Sequence, residues 1–391
     1  MRTVLTAAKL FTGTGLLDYP VIEIEDGCIA SISTRASAQP PPHANAIDYP
    51  GATLSPPFFD VHIHGAAGHD VMEATPQALH AIGRFLAAHG TSSYLATTVT
   101  APFDTTLRSL SALAKLLAQP PNSAQPAEPI AHAIGIHLEG PFLSHAKRGV
   151  HPPEHLLAPD IAVFDRLFEA AEGHIRLMTL APELPGAPEF TAHASARGVR
   201  VSLGHSNATA AETRAAIAAG AVSATHTFNA MRPLDHHEPG ILGVALTAGS
   251  LFAELICDGI HTAPEIVSLW WKAKGPARAI LVTDAMSATG MPDGDYRLGS
   301  FTVQVANGKA TMSGVLAGSL LTLDRALANF LAFTGASLEQ GLRLLTVNPA
   351  AMTGLTAQAS SLVVGQPANL VVLDPSGNLI ASIHHGHPIR P

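Results

Sequence analysis

From residue 51 to residue 284 the chain repeats one pattern, a short apolar strand-like run followed by an amphipathic helical stretch. This alternation constrains the fold more than any other feature. Strand-like runs end near His64, Val99, Glu139, Pro182, His205, Phe228, His261 and Asp284. Helical periodicity fills most of the gaps, over residues 76–89, 105–119, 161–172, 208–219 and 263–272. Thr209 with Glu212 reads as a capping box, and Gly220 closes the same helix. Eight such units predict a parallel (β/α)8 barrel, an α/β fold. A doubly wound sheet would want a Gly-rich phosphate turn after its first strand; that place holds Asp60-Val61-His62-Ile63-His64. Beyond Asp284, residues 301–305 and 309–313 around Asn307-Gly308 read as a hairpin over the barrel mouth, and 319–333 and 338–346 as closing helices.

The flanks have a different character. Residues 21–25 and 28–32 alternate around Asp26-Gly27, a strong hairpin signal, and a Pro- and Ala-rich loop follows over 38–46. So few residues cannot cover both faces of their strands. The strand-like runs 368–374 and 379–383 supply a partner, so residues 1–50 with 356–391 are expected to form one small β-sandwich domain and 51–355 the barrel.

Composition narrows the function classes. With 47% hydrophobic and 13% charged residues the chain is globular, not disordered. A net charge of −8 and the absence of any Lys/Arg run exclude nucleic acid and anionic membrane as expected partners. No apolar segment reaches the roughly 18 residues of a membrane span, and residues 1–5 carry no signal-peptide pattern. Cys28 and Cys257 sit far apart in apolar runs and read as buried thiols of a reducing compartment. The expected location is the cytoplasm.

In a strand, alternate side chains share a face, so His62 and His64 project together. Alone, such a pair carries little weight in a chain with 21 histidines. Later strand-like runs, however, end in Glu139, His205, His226 and Asp284. A barrel gathers its C-terminal strand ends on one face, so these six would converge. Imidazole and carboxylate donors suit zinc, and also iron, nickel or manganese. A carboxylate such as Glu139 can bridge two ions, so one-ion and two-ion sites both stay open.

Seven segments add specificity: His137-Leu138-Glu139-Gly140-Pro141-Phe142, Leu203-Gly204-His205-Ser206, His226-Thr227-Phe228-Asn229-Ala230-Met231, Glu238-Pro239-Gly240, Asp258-Gly259-Ile260-His261, Val282-Thr283-Asp284-Ala285 and Leu316-Ala317-Gly318-Ser319. In this order they resemble the N-acetylglucosamine-6-phosphate deacetylases of the metal-dependent amidohydrolase superfamily, over about residues 50–350. The resemblance implies hydrolysis of an N-acetylated amino-sugar phosphate with a divalent metal, zinc in first place, in a homodimer. It makes Glu139, His205 and His226 the main metal ligands, with His62 and His64 holding a second ion in members that keep both histidines. Asp284 becomes the catalytic acid/base, and His151 a histidine near the substrate amide. Val150, Asn229, Ala230, His261, Leu316, Ala317 and Gly318 become substrate contacts.

Two positions depart from the family. Pro57 stands where Gly is common, a change confined to a turn. His237 stands where an Arg is expected to reach the phosphate of a neighbouring subunit's substrate; an imidazole offers fewer donors and less charge than a guanidinium. Arg232 is the nearest substitute. Alternatives at this stage are a deacetylase of an unphosphorylated or epimeric sugar, a cyclic amidase or nucleobase deaminase, and a non-catalytic scaffold. Many dinuclear enzymes of the second kind bridge their ions with a carboxylated Lys, whereas Glu139 fills that slot here. A scaffold would have eroded its ligands, yet all six positions carry competent side chains.

Overall fold

Eight parallel strands, hydrogen-bonded in chain order, form the central sheet of the computed structural model. They are β1 Phe58–Ile63, β2 Thr91–Thr98, β3 His132–Glu139, β4 Ile175–Leu180, β5 Arg200–Leu203, β6 Ser223–Ala224, β7 Phe252–Ile256 and β8 Ala279–Val282. Hydrogen bonds from His64 N–H to the Ala285 carbonyl (2.8 Å) and from Asp284 N–H to the His62 carbonyl (2.9 Å) bring β1 and β8 together and close the barrel. The structure describes residues 2–37, 45–119, 128–358 and 362–389. Most of the loop expected over 38–46 therefore lies outside the described residues.

Helices surround the sheet because their apolar stripes match its outer face. Thr75 caps Pro76–Ala88 by accepting the Ala78 N–H, and the helix buries Ile82 and Leu86. The Thr209/Glu212 capping box is present on Ala210–Ala218. Burying each such Leu, Ile or Phe contributes on the order of 1.5–3 kcal/mol. Among the described residues, some helices carried no periodic signal in the sequence. Ala187–Ala196 is built largely of small residues, and Gly240–Thr247 is apolar all round, burying Ile241, Leu242, Val244 and Leu246. A helix buried on every side has no polar face to mark its period.

Two strands are shorter than their apolar runs. β6 stops at Ala224 rather than Phe228, because His226, Phe228 and Ala230 all adopt positive φ. β7 stops at Ile256 rather than His261, where Asp258 Oδ1 accepts the N–H groups of Ile260 (2.8 Å) and His261 (2.7 Å) and turns the chain.

The chain ends do pair. Arg2–Phe11 lies parallel to Asn45–Ser55, which pairs antiparallel with Leu370–Leu373, followed by Leu379–His384 and His387–Ile389. The Asp26-Gly27 hairpin joins Pro20–Glu25 to Cys28–Thr34 on the other side. Rather than two separate layers, these strands form one continuous sheet that curls until Ile29 N–H reaches the Gln366 carbonyl, enclosing Leu5, Ile22, Leu54, Leu370 and Ile383. Over the barrel mouth, the strands Gly294–Leu298, Phe301–Ala306, Lys309–Met312 and Val315–Leu316 form a small sheet with Asn307-Gly308 at its central turn.

Candidate metal centre and active site

The C-terminal strand ends surround a cavity of about 310 Å3. His64, Glu139, His151, His205, His226 and Asp284 line it, together with Val150, Asn229, Ala230, His261, Leu316 and Gly318. His62 lies just beneath, fully buried. Ala317 packs beside the lining instead, against Met286 and Val303. His237 is exposed outside the cavity, its ring tilted against that of His236, and Arg232 is likewise not part of the lining.

Side chains reach this face from strained backbone. His205, His226 and Asp284 all have positive φ, at 47°, 27° and 51°. Each such non-Gly conformation costs on the order of 1–3 kcal/mol and persists only where surroundings enforce it. Here the turn drops each side chain directly off its strand into the mouth.

Three donors meet at one point. Glu139 Oε1 lies 3.1 Å from His226 Nε2 and 3.2 Å from His205 Nε2, and the two nitrogens are 3.1 Å apart. Donors of a tetrahedral site bound at about 2.0–2.1 Å stand about 3.3 Å from one another. Beside them, His64 Nε2 is 3.2 Å from both Glu139 Oε2 and Asp284 Oδ1, and His62 Nε2 is 3.5 Å from Glu139 Oε1 and Asp284 Oδ1. Two groups can thus each hold a cation, one of His62, His64 and Asp284, the other of Glu139, His151 and His205, with His226 beside it. Glu139 faces both.

Hydrogen bonds on the far side of each ring select the inward-facing atom. His205 Nδ1–H donates to the Lys147 carbonyl (3.1 Å) and His64 Nδ1–H to the Thr97 carbonyl (3.1 Å), turning both Nε2 atoms inward. His151 is arranged the opposite way. Its Nδ1 accepts the Thr100 N–H (3.3 Å), so its Nε2 carries the proton and points a donor at the cavity. Both His151 and His226 stand beside the Glu139 and His205 pair, with Nε2 at 3.6 Å from Glu139 Oε2 and at 3.1 Å from Glu139 Oε1 respectively. Both ring nitrogens of His62 and Nδ1 of His226 are buried with no partner at hydrogen-bond distance; His62 Nε2 faces the cluster, and His62 Nδ1 stands 3.6 Å from Glu254 Oε2.

Electrostatics fit a cation. Burial alone would raise the carboxyl of Glu139, yet His62, His151, His205 and His226 hold it well below the usual range. Burial likewise opposes ionised Asp284, but His62, His64 and His226 bring it down to about 2. For His64 burial is outweighed by Asp284 and Glu139, which raise it to about 9. His151 is pushed down to about 4, mainly by burial, and stays neutral. At the cavity edge, burial of His261 is offset by Asp258, whose Oδ2 lies 2.6 Å from Nδ1, and the imidazole is raised.

A layer of polar residues beneath this cluster escaped the sequence reading. Asp60 accepts from Thr283 Oγ1 (2.6 Å), and its carboxyl is raised to about 7, chiefly by burial. His137 stands between Thr97 and Thr179, and Glu254 lies fully buried beside Ser223. The available signal was a carboxylate inside the wholly apolar run Leu251-Phe252-Ala253-Glu254-Leu255-Ile256-Cys257.

The model of the amidohydrolase family matches residues 53–388. The chain belongs to this family. Among relatives of this amidohydrolase, an N-acetylgalactosamine-6-phosphate deacetylase of Escherichia coli O157:H7 is 39% identical, over 96% of each chain. An N-acetylglucosamine-6-phosphate deacetylase of Lysinibacillus sphaericus is 37% identical over 90% of this chain and 88% of its own. A solved N-acetyl-D-glucosamine-6-phosphate deacetylase mutant of Mycobacterium smegmatis, in complex with N-acetyl-D-glucosamine-6-phosphate, superposes with a TM-score of 0.89 at 37% identity, covering 100% of both chains. The amidohydrolase family is metal-dependent, and the convergent donors of this member are able to bind metal. Among the described residues no helix is long and apolar enough to cross a membrane.

Proposed function

We propose that this amidohydrolase removes the acetyl group of N-acetylglucosamine 6-phosphate, giving acetate and glucosamine 6-phosphate in amino-sugar catabolism. The observation that carries the reading is the meeting, in one cavity, of a metal-binding donor set, an ionised Asp284 and the His151 N–H donor.

Glu139, His205 and His226 would hold the principal ion, and His62 with His64 a second. The donor set suits zinc first, and iron, nickel and manganese also bind such sets. A bound divalent cation supplies an acidified water and a positive charge for the acetyl carbonyl oxygen. Asp284, ionised at neutral pH, accepts the water's proton through its carboxylate as the C–O bond forms. The same carboxyl then returns that proton to the sugar nitrogen, so the C–N bond breaks to release a neutral amine. His151 Nε2–H donates to the oxygen on which negative charge develops. His261, its Nδ1 fixed on Asp258, presents its other nitrogen to the sugar end, with Asn229 and the Ala230 backbone. Val150, Leu316 and Gly318 shape the wall on the substrate side, with Ala317 behind them.

The same proposal divides the chain into a barrel of residues 51–355 and a domain of residues 1–50 with 356–391, working as a homodimer in the cytoplasm. His237, exposed and outside its own cavity, supports a contact with a neighbour's substrate. A second reading, the galacto epimer as substrate, is favoured by the Escherichia coli O157:H7 relative. Acetate release over N-acetylglucosamine and N-acetylgalactosamine, each with and without the 6-phosphate, tests both. The proposal expects the highest kcat/KM with N-acetylglucosamine 6-phosphate. Preference for the galacto epimer establishes the second reading, and no acetate from any of the four removes both.

A further inference from the structure

One buried acidic side chain in the barrel has no part in the mechanism above. Glu254 lies in the middle of β7, and its side chain is fully excluded from solvent. A buried carboxylate needs a counter-charge or a full set of donors. Ser223 Oγ–H stands 3.3 Å from Oε1, and the His226 backbone N–H 3.4 Å from Oε2. The group facing it that can carry charge is His62, whose Nδ1 is 3.6 Å from Glu254 Oε2.

The ring of His62 has two chemically distinct sides. Nε2 faces Glu139 and Asp284, each at 3.5 Å, while Nδ1 faces Glu254. The ring packs edge-on against His137, with centroids 4.6 Å apart. For the other outer ligands the Nδ1–H partner is a backbone carbonyl, Thr97 for His64 and Lys147 for His205. His62 alone among these three has a carboxylate in that place. A carboxylate behind an imidazole keeps the proton on the near nitrogen, turns the far lone pair outward and makes it a stronger donor to a metal.

We propose that Glu254 is the positioning residue for His62: its carboxyl, 3.6 Å from Nδ1, favours the tautomer with the proton on that nitrogen and so makes Nε2 competent to bind a second metal ion. The inference rests on the reading of His62 and His64 as a second metal site. Glu254 touches neither that ion nor the substrate, because its carboxylate lies on the opposite side of the ring. The principal ion, held by Glu139, His205 and His226, does not depend on it.

Zinc titration of the metal-free full-length protein tests this, with ion content measured by elemental analysis and affinity by chelator competition. The wild type should take up two ions. Glu254→Leu, which has no acceptor for Nδ1–H, should weaken the second ion about 100-fold and leave the first at native affinity. Glu254→Gln keeps size and an acceptor oxygen but loses the charge, and should weaken the second ion about 10-fold, between native and Glu254→Leu. This graded rescue separates positioning from a general loss of packing, and the unfolding transition of each metal-free variant checks the fold. If Glu254→Leu does not fold, Glu254→Gln decides: second-ion affinity within two-fold of native overturns the proposal, and a loss of about 10-fold supports it. Two ions at native affinity in both variants overturn the role of Glu254 while leaving the two-ion site intact. A wild type that takes one ion, unchanged by His62→Ala, overturns the second site and this proposal together.

Discussion

Asp284 and His64 share a contact of 3.2 Å but carry opposite consequences for pH. The Asp284 carboxyl, brought down to about 2 by its histidine neighbours against the effect of burial, stays ionised through the acid range. Loss of activity on mild acidification therefore does not arise from protonation of Asp284. Asp284→Asn keeps the size but cannot take a proton, so turnover should fall at least about 100-fold with the principal metal retained. Near-native turnover in that variant would remove Asp284 from the acid/base role. His64 behaves in the other sense. Burial opposes its charge, but Asp284 and Glu139 more than offset this and keep it protonated up to about 9. A cation binding at His62, His64 and Asp284 must displace that proton. Affinity there should rise about ten-fold per pH unit for each proton displaced, and level off above about 9. Calorimetry of zinc binding in buffers of different ionisation enthalpy measures the released proton directly. Binding to this group that releases no proton at pH 7 would contradict the assignment.

At the level of elements, the site depends on how strands end. His205 and Asp284 each follow their strand, β5 and β8, by two residues, and the positive φ at each sends the side chain into the mouth. The helix Ala210–Ala218 follows the β5 loop, and its first turn is tied by Thr209 Oγ1, which accepts the Glu212 N–H at 3.3 Å. Glu238, from the next loop, accepts the Ala210 N–H at 2.8 Å, so this helix start joins the loops that carry His205 and His226. Thr209→Ala should cost about 1 kcal/mol in urea unfolding, while Thr209→Ser, which keeps the capping oxygen, should cost much less. Equal losses in the two variants would show that the methyl group matters rather than the cap. Asp258 plays a comparable part at the end of β7, turning the chain and fixing His261 with one carboxylate.

For the whole molecule the open question of specificity is His237, exposed on a loop that its own cavity does not reach. A charge-assisted hydrogen bond contributes roughly 1.5–3 kcal/mol. His237→Arg should then lower KM for the 6-phosphorylated substrate by about 10- to 150-fold with kcat little changed, as uniform binding requires. No gain from the guanidinium with phosphorylated substrate would place the phosphate elsewhere. Much of the architecture was legible in the chain itself, because strand and helix periods and turn residues are local. Asp26-Gly27 and Asn307-Gly308 mark their turns, and Thr209 with Glu212 marks a helix start, without reference to anything distant. The convergence of His62, His64, Glu139, His205, His226 and Asp284 was legible too, since a barrel gathers its strand ends on one face. Only tertiary structure decided which nitrogen of each histidine faces inward, because that depends on partners far away in sequence, such as Thr97 for His64 and Thr100 for His151. Glu254 belongs to the same class. A single carboxylate in an apolar strand has no local meaning, and acquires one when barrel closure sets β7 opposite His62.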